Sequence, residues 1–326
     1  MAYQNVVTPK FYINSLEWLQ SNGSLPVPVA GSGNTSMQEN FSFRTIATPK
    51  QQFEKIKWLN NFPKYLFKQN TDRCESFIAV LSHTLKTNGT HLTVRHANNQ
   101  QSNVDFTPIV NAGAGGVELE PEFNGWSLAS FQFPSDNDFF RVSFSSNSSI
   151  GSIICGTSYK MPTSAQLNLK MTNELDGIET SKTKAGFDIV NYKYTKPIKW
   201  GNLAPWEIGS SSPELSRIGR RSWDLNFSYI SDSNIFPDVS SLSNYGTNGW
   251  SNNQNATNNT LLYDDSFFGQ VIHRTNGGQL PFIFQPDSSN NNPQNFAICK
   301  FDQNSFDFKQ VANGVYDISL KIREIW

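Results

Sequence analysis

At 326 residues the chain has room for two domains, each with a sizeable core. Only 16% of the residues are charged, against about 25% in an average globular protein, and the formal net charge is −1. That balance argues against a sequence-independent nucleic-acid binder, which would show a basic excess. Asn, Ser, Thr and Gln carry the solubility over an aromatic content of 13%, a composition that suits β-sandwiches.

In chain order, Phe11 to Leu19 is apolar and β-leaning and closes on a turn at Ser21-Asn22-Gly23-Ser24. The stretch from Ala30 to Asn40 is a loop rich in Gly, Ser and Asn. Glu75 to Leu81 is a short continuous apolar run, as a buried strand would show, and Thr90 to His96 alternates. Ser127 to Phe133, Phe139 to Ser145 and Gly151 to Cys155 complete the set. Short strands separated by Gly, Asn and Pro turns predict a jelly-roll-like β-sandwich over residues 1–160.

The pattern restarts over residues 161–326 as a second β domain of barrel or sandwich type with one inserted α-helix. Ala165 to Met171 alternates, Ile189 to Tyr194 is a strand, and Trp223, Leu225, Phe227 and Tyr229 share one face of the next. Residues 231–260 form a long polar loop dense in Asn, Ser and Gly, of a length usually functional. A helix is expected over about 265–276. Asp265-Ser266 caps it, Phe268, Val271 and Ile272 share a face, and Gly277-Gly278 stops it. Pro281 to Gln285, Phe296 to Phe301, Phe306 to Phe308 and Val315 to Trp326 rebuild the sheet. In the terminal strand Tyr316, Ile318, Leu320 and Ile322 alternate with Asp317, Ser319, Lys321 and Arg323, so the strand is half-buried in an antiparallel sheet.

Catalytic and metal motifs are sparse. Glu118, Glu120 and Glu122 alternate on one segment broken by Pro121, whereas glycoside hydrolysis needs carboxylates facing each other across a bond. Ser135-Asp136-Asn137-Asp138 lacks the Gly and the bidentate Glu of a calcium loop. His83, His91 and His96 have no metal-binding spacing, and nucleophile-elbow and phosphate-loop fingerprints are absent. The expectation is no enzyme, no cofactor and no bound metal. Cys74, Cys155 and Cys299 have no C-x-x-C spacing and read as buried free thiols, which predicts assembly in a reducing cytoplasm. Met1 to Asn5 does not open a secretory signal, no apolar run reaches membrane-helix length, and the sequons at Asn22, Asn88, Asn147 and Asn226 follow from composition. The densest basic patch holds Arg217, Arg220 and Arg221 just before a strand. It is read as a bidentate contact with a carboxylate of a neighbouring subunit rather than with nucleic acid.

Three stretches carry a resemblance: Gly219 to Leu225 (G-R-R-S-W-D-L), Gly277 to Asp287 (G-G-Q-L-P-F-I-F-Q-P-D) and Gln310 to Tyr316 (Q-V-A-N-G-V-Y). With Phe11 to Asn14, they resemble tail proteins of tailed bacteriophages, marine ones especially. Phe77 to Leu85 is similar to a strand of galactose-binding-like jelly rolls in phage tail components, with Thr84 where that pattern has Asn. The resemblance covers most of the chain, is closest over the last third, and rests on structural motifs. It implies a virion part without an active site, assembled in the host bacterial cytoplasm. We place it at the tail tip, as a distal-tail or adaptor protein whose homo-oligomeric ring links tube to baseplate or fibres. Its partners would be other copies and other tail proteins, with no membrane and no sequence-specific nucleic acid. Arg217, Arg220, Arg221 and Trp250 are then the expected subunit contacts. Two alternatives stand beside it. One is a receptor-binding tail protein that stacks a host surface glycan on aromatics such as Trp126, Trp206 and Trp250, with Trp250 the best candidate. The other is a head–tail connector or capsid decoration protein.

Overall fold

The computed structural model describes residues 5–23, 29–30, 51–58, 72–81, 83, 85, 89, 91–97, 107–108, 126–131, 139–174, 178–192, 220–237, 261, 264–291 and 295–325. The fold is all-β, antiparallel and sandwich-like, with short helical insertions. Among the described residues, ten strands make one sheet. These are β1 (Lys10–Asn14), β4 (Cys74–Leu81), β7 (Trp126–Phe131), β9 (Ser152–Lys160), β10 (Lys170–Glu174), β13 (Arg220–Ser231), β14 (Phe282–Gln285), β15 (Ala297–Phe301), β16 (Phe308–Ala312) and β17 (Val315–Glu324). Their order is β10-β13-β17-β15-β14-β1-β9-β4-β7, and β16 pairs with one end of β17. A second sheet holds β2 (Val29–Ala30), β3 (Gln51–Trp58), β5 (Leu92–Ala97), β6 (Thr107–Pro108) and β8 (Phe139–Ile150). The chain passes from β8 into β9, and so between sheets, through Gly151, whose N–H donates to the Leu81 carbonyl at 2.9 Å. A hairpin of β11 (Ile178–Lys182) and β12 (Asp188–Tyr192) forms a separate two-stranded sheet.

The large sheet runs straight through the boundary expected between residues 160 and 161. β1 lies between β9 of the first half and β14 of the second, with Phe11 opposite both Tyr159 and Phe284. Strands buried on both faces read as continuous apolar runs, and F-Y-I in β1 and F-I-F in β14 do so. Phe11, Ile13, Phe282 and Phe284 enter one core with Trp223, Leu225, Leu320 and Ile322. Tyr12 and Ile283 enter another with Phe77, Ile154 and Ile298. Phe11 lies 5.3–6.1 Å from the rings of Phe267, Phe282, Phe284 and Phe301. Rings at such spacings add to area burial.

Toward the other end of the sheet the strands cover one face only, and alternation returns. In β17 Ile318, Leu320 and Ile322 are buried while Ser319 and Lys321 are exposed. In β13 the expected face holds for Trp223, Leu225 and Phe227 but fails at Tyr229. The register slips between Phe227 and Ile230, so Ser228 and Tyr229 together oppose Asp317. Tyr229 takes φ 58°, its N–H donates to Asp317 Oδ1 at 3.2 Å, its side chain stands 77% exposed, and Ile230 fills the core position instead. A left-handed backbone at a non-glycine residue costs about 1 kcal/mol.

Two further expectations change. The apolar segment 11–19 is not one strand: β1 ends at Asn14 and α1 (Ser15–Ser21) begins. Asn14 Oδ1 accepts from the Glu17 N–H at 3.3 Å and its amide donates to Glu17 Oε2 at 3.1 Å, a reciprocal cap. The segment expected as an α-helix over 265–276 is helical but wound as a π turn (Phe268–Ile272) and then a 3-10 turn (His273–Thr275). Ser266 caps it through the Gly269 N–H at 3.1 Å, and Asn276 and Gly277, both with positive φ, end it.

Leu320→Ala is expected to cost about 2–5 kcal/mol in urea unfolding, and Lys321→Ala under about 0.5 kcal/mol. Tyr229→Gly, which relieves the bulge, is expected to raise stability by about 0.5–1 kcal/mol in the same assay.

Candidate functional site

Arg221 begins β13 with its guanidinium inside the protein. Nη2 donates to Glu324 Oε1 at 3.0 Å and Nε to Oε2 at 3.2 Å, while the Arg221 N–H reaches Oε2 at 2.9 Å. Nη2 also donates to the Phe296 carbonyl at 3.0 Å, and the group lies 5.4 Å from the Trp223 ring. Both partners are almost fully buried, at 3% and 2% exposure. The bidentate contact expected between subunits is therefore made within one chain, joining β13, β17 and the entry to β15. Arg220 is half-buried at the register position opposite Glu174. Arg217, Trp206 and Trp250 lie outside the described residues, as do Glu118, Glu120, Glu122, Asp136 and Asp138. Trp126 opens β7 opposite Leu81.

His83 is buried, and burial pushes its pKa down to about 3, so its ring is neutral. Nδ1 accepts from the Leu85 N–H at 3.2 Å, which leaves the proton on Nε2 to reach Ser127 Oγ at 3.1 Å. The histidine is thereby a core link between the end of β4 and β7. Cys74, Cys155 and Cys299 are buried free thiols, as expected, and burial pushes the pKa of the last two up.

The polar segment over 231–260 begins in α2 (Asp232–Ile235), and residues 238–260 lie outside the described residues. What precedes and follows them meets at Arg73. Its Nη1 donates to Asn234 Oδ1 and its Nη2 pairs with Asp265 Oδ2 at 3.4 Å. The Tyr159 hydroxyl donates to the Asn234 carbonyl at 2.9 Å, and Phe236 packs on Phe308 and Tyr316. Asn234 and Asp265, on either side of that segment, are thus held by the same arginine.

The β11–β12 hairpin is the part that the sequence reading missed, although it placed a strand over 189–194. Ile178 pairs with Tyr192 through to Lys182 with Asp188. The turn closes by Thr183 N–H to the Phe187 carbonyl at 2.8 Å and Gly186 N–H to the Thr183 carbonyl at 2.9 Å, with Gly186 at φ 85°. A left-handed glycine ending such a turn is a standard hairpin device. The signal was present as two short runs, I-E-T-S-K and D-I-V-N-Y, around a Gly-containing turn. Successive strand residues point to opposite faces, yet Ile189 and Val190 are both exposed. Phe187 at the tip is 74% exposed. Among the described side chains, Thr180 to Lys182 and Asp188 to Val190 are exposed on both faces of the hairpin, and a lone two-stranded hairpin is marginally stable in water.

Set against models of known protein families and against curated proteins, the chain matches none.

Arg221→Ala strands the Glu324 carboxylate in the core and is expected to lower stability by about 3–5 kcal/mol in urea unfolding. A loss of under about 1 kcal/mol would place the pair at a surface.

Proposed function

We propose that this protein is a structural subunit that assembles with copies of itself, and that the particle it builds is the tail of a tailed bacteriophage. The observation that carries the assembly reading is the β11–β12 hairpin, which among the described residues pairs with no other strand and holds Phe187, Ile189 and Val190 in solvent. Covering those side chains on a neighbour removes apolar surface from water and stabilises a marginal element at once. Closed homo-oligomers are the commonest way to do so. The tail placement is supported by the resemblance of residues 219–225, 277–287 and 310–316 to phage tail proteins. At the tail tip, a ring of such subunits would join tube to baseplate or fibres, with Arg73 holding Asn234 and Asp265 on either side of the 238–260 segment. The chemistry asked of the chain on this reading is rigidity and surface complementarity, with no catalytic step.

The test is a double variant, Phe187→Asp with Ile189→Asp, compared with the parent by size-exclusion chromatography with light scattering. The parent is expected to run as an oligomer and the variant as a folded monomer with an unchanged melting temperature. In an infected host, the same variant is expected to leave tails without this protein. A parent that is monomeric at every concentration and binds surface glycans would turn the assignment toward the receptor-binding alternative.

A further inference from the structure

Among the described residues, the exposed large apolar side chains other than Val7 fall into two groups. One is the hairpin. The other surrounds the bulged end of β13. Tyr229 is thrown out there by the bulge opposite Asp317. Leu167, at 101% exposure, follows Gln166, whose N–H donates to the Asn226 carbonyl at 2.8 Å and whose amide meets Ser228 Oγ. Leu167 and Tyr229 are therefore each one residue from the same polar link. On the other edge of β17 the β16 register also slips, between Gln310 and Ala312, and Val311 is exposed. Since Tyr316 pairs with both Ile230 and Gln310, the two bulges lie about two strand spacings, roughly 10 Å, apart.

We propose that the hairpin of one copy docks on the Tyr229–Leu167 patch of a second copy, so that the interface is head-to-tail rather than self-paired. The inference rests on the assembly reading above and names the surface it uses. Three observations favour this occupant. The two patches are chemically alike but sit on different elements of one chain, the condition for a heterologous contact that closes into a ring or runs on as a fibre. The charges complement each other: Lys182 and Lys184 flank the hairpin turn, and Asp232 and Asp317 flank Tyr229 in sequence and in register. Asp188 opposite Lys182 and Lys309 opposite Asp317 moderate that attraction, and Glu179, at the far end of β11 opposite Asn191, confines the hairpin's positive charge to the turn end. Finally, Tyr229 keeps a bulky aromatic ring in a left-handed backbone position that glycine would fill without strain. Strain retained under an exposed aromatic is explained by what the ring binds.

Mixing two variants decides it. Phe187→Asp spoils the hairpin and leaves the patch; Tyr229→Gly removes the ring, leaves the hairpin, and relieves the backbone, so misfolding does not account for its effect. By sedimentation velocity each variant alone is expected to associate at least about tenfold more weakly than the parent. An equimolar mixture is expected to form a 1:1 dimer and nothing larger, because only one intact hairpin–patch pair exists. Leu167→Asp is expected to behave as Tyr229→Gly does. If the mixture stays monomeric, or if Tyr229→Gly and Leu167→Asp assemble like the parent while Phe187→Asp does not, the hairpin docks elsewhere and this inference falls alone. If Phe187→Asp assembles like the parent, the hairpin is not the contact and this inference falls; if the parent itself is monomeric at every concentration, the assembly reading falls with it.

Discussion

The structure depends on where β1 lies. A five-residue strand near the start of the chain sits between β9 and β14, and among the described residues no other strand joins those two in the large sheet. Its side chains serve both cores: Phe11 and Ile13 go to one, Tyr12 to the other. Without β1 the strands β10, β13, β17, β16, β15 and β14 and the strands β9, β4 and β7 would be separate sheets, each with an open edge. The register Phe11 to Phe284 ties residues far apart in sequence, so the sheet closes only when nearly the whole chain is available. Such pairings are slow to form. Once made, they give a stiff plate on which loops and a hairpin are mounted.

What hangs from that plate divides by how it is held. The Arg221–Glu324 fork is inside, where a charge pair fixes geometry and is costly to break on one side. Arg73 does a related task nearer the surface, gripping what comes before and after residues 238–260. The hairpin has no comparable anchor among the described residues beyond its own ladder and turn. The Tyr229 bulge is held by its backbone link to Asp317 and carries strain instead of packing. Elements bound tightly to the plate give it shape. Elements left bare are the ones available to a neighbour.

Legibility in the sequence followed the same division. Alternation in β17 and the continuous run in β4 were plain, because one face or both faces meet a core and the side-chain pattern records it. The two-domain boundary was less so, since turn signals near residue 160 say nothing of β1 returning to pair with β14. At Tyr229 the apolar alternation continued in sequence while the backbone did not, as a bulge inserts a residue without any change in composition. Arg221 looked like a surface cation because its partner is 103 residues away in sequence, beyond the reach of local pattern. The hairpin escaped because its described side chains are exposed on both faces, which leaves no buried stripe there for periodicity to reveal. The surfaces on which the proposed assembly rests were thus the ones least legible.

The central claim is that the β11–β12 hairpin is completed by another copy of the chain. Hydrogen exchange of the backbone amides over 178–192, followed in dilute monomer and in the assembled form, tests it directly. The account predicts fast exchange in the monomer, with β1 and β14 fully protected, and strong slowing confined to the hairpin and the Tyr229 region on assembly. Hairpin amides that are already protected in the monomer, or that exchange equally fast in the assembly, would contradict it.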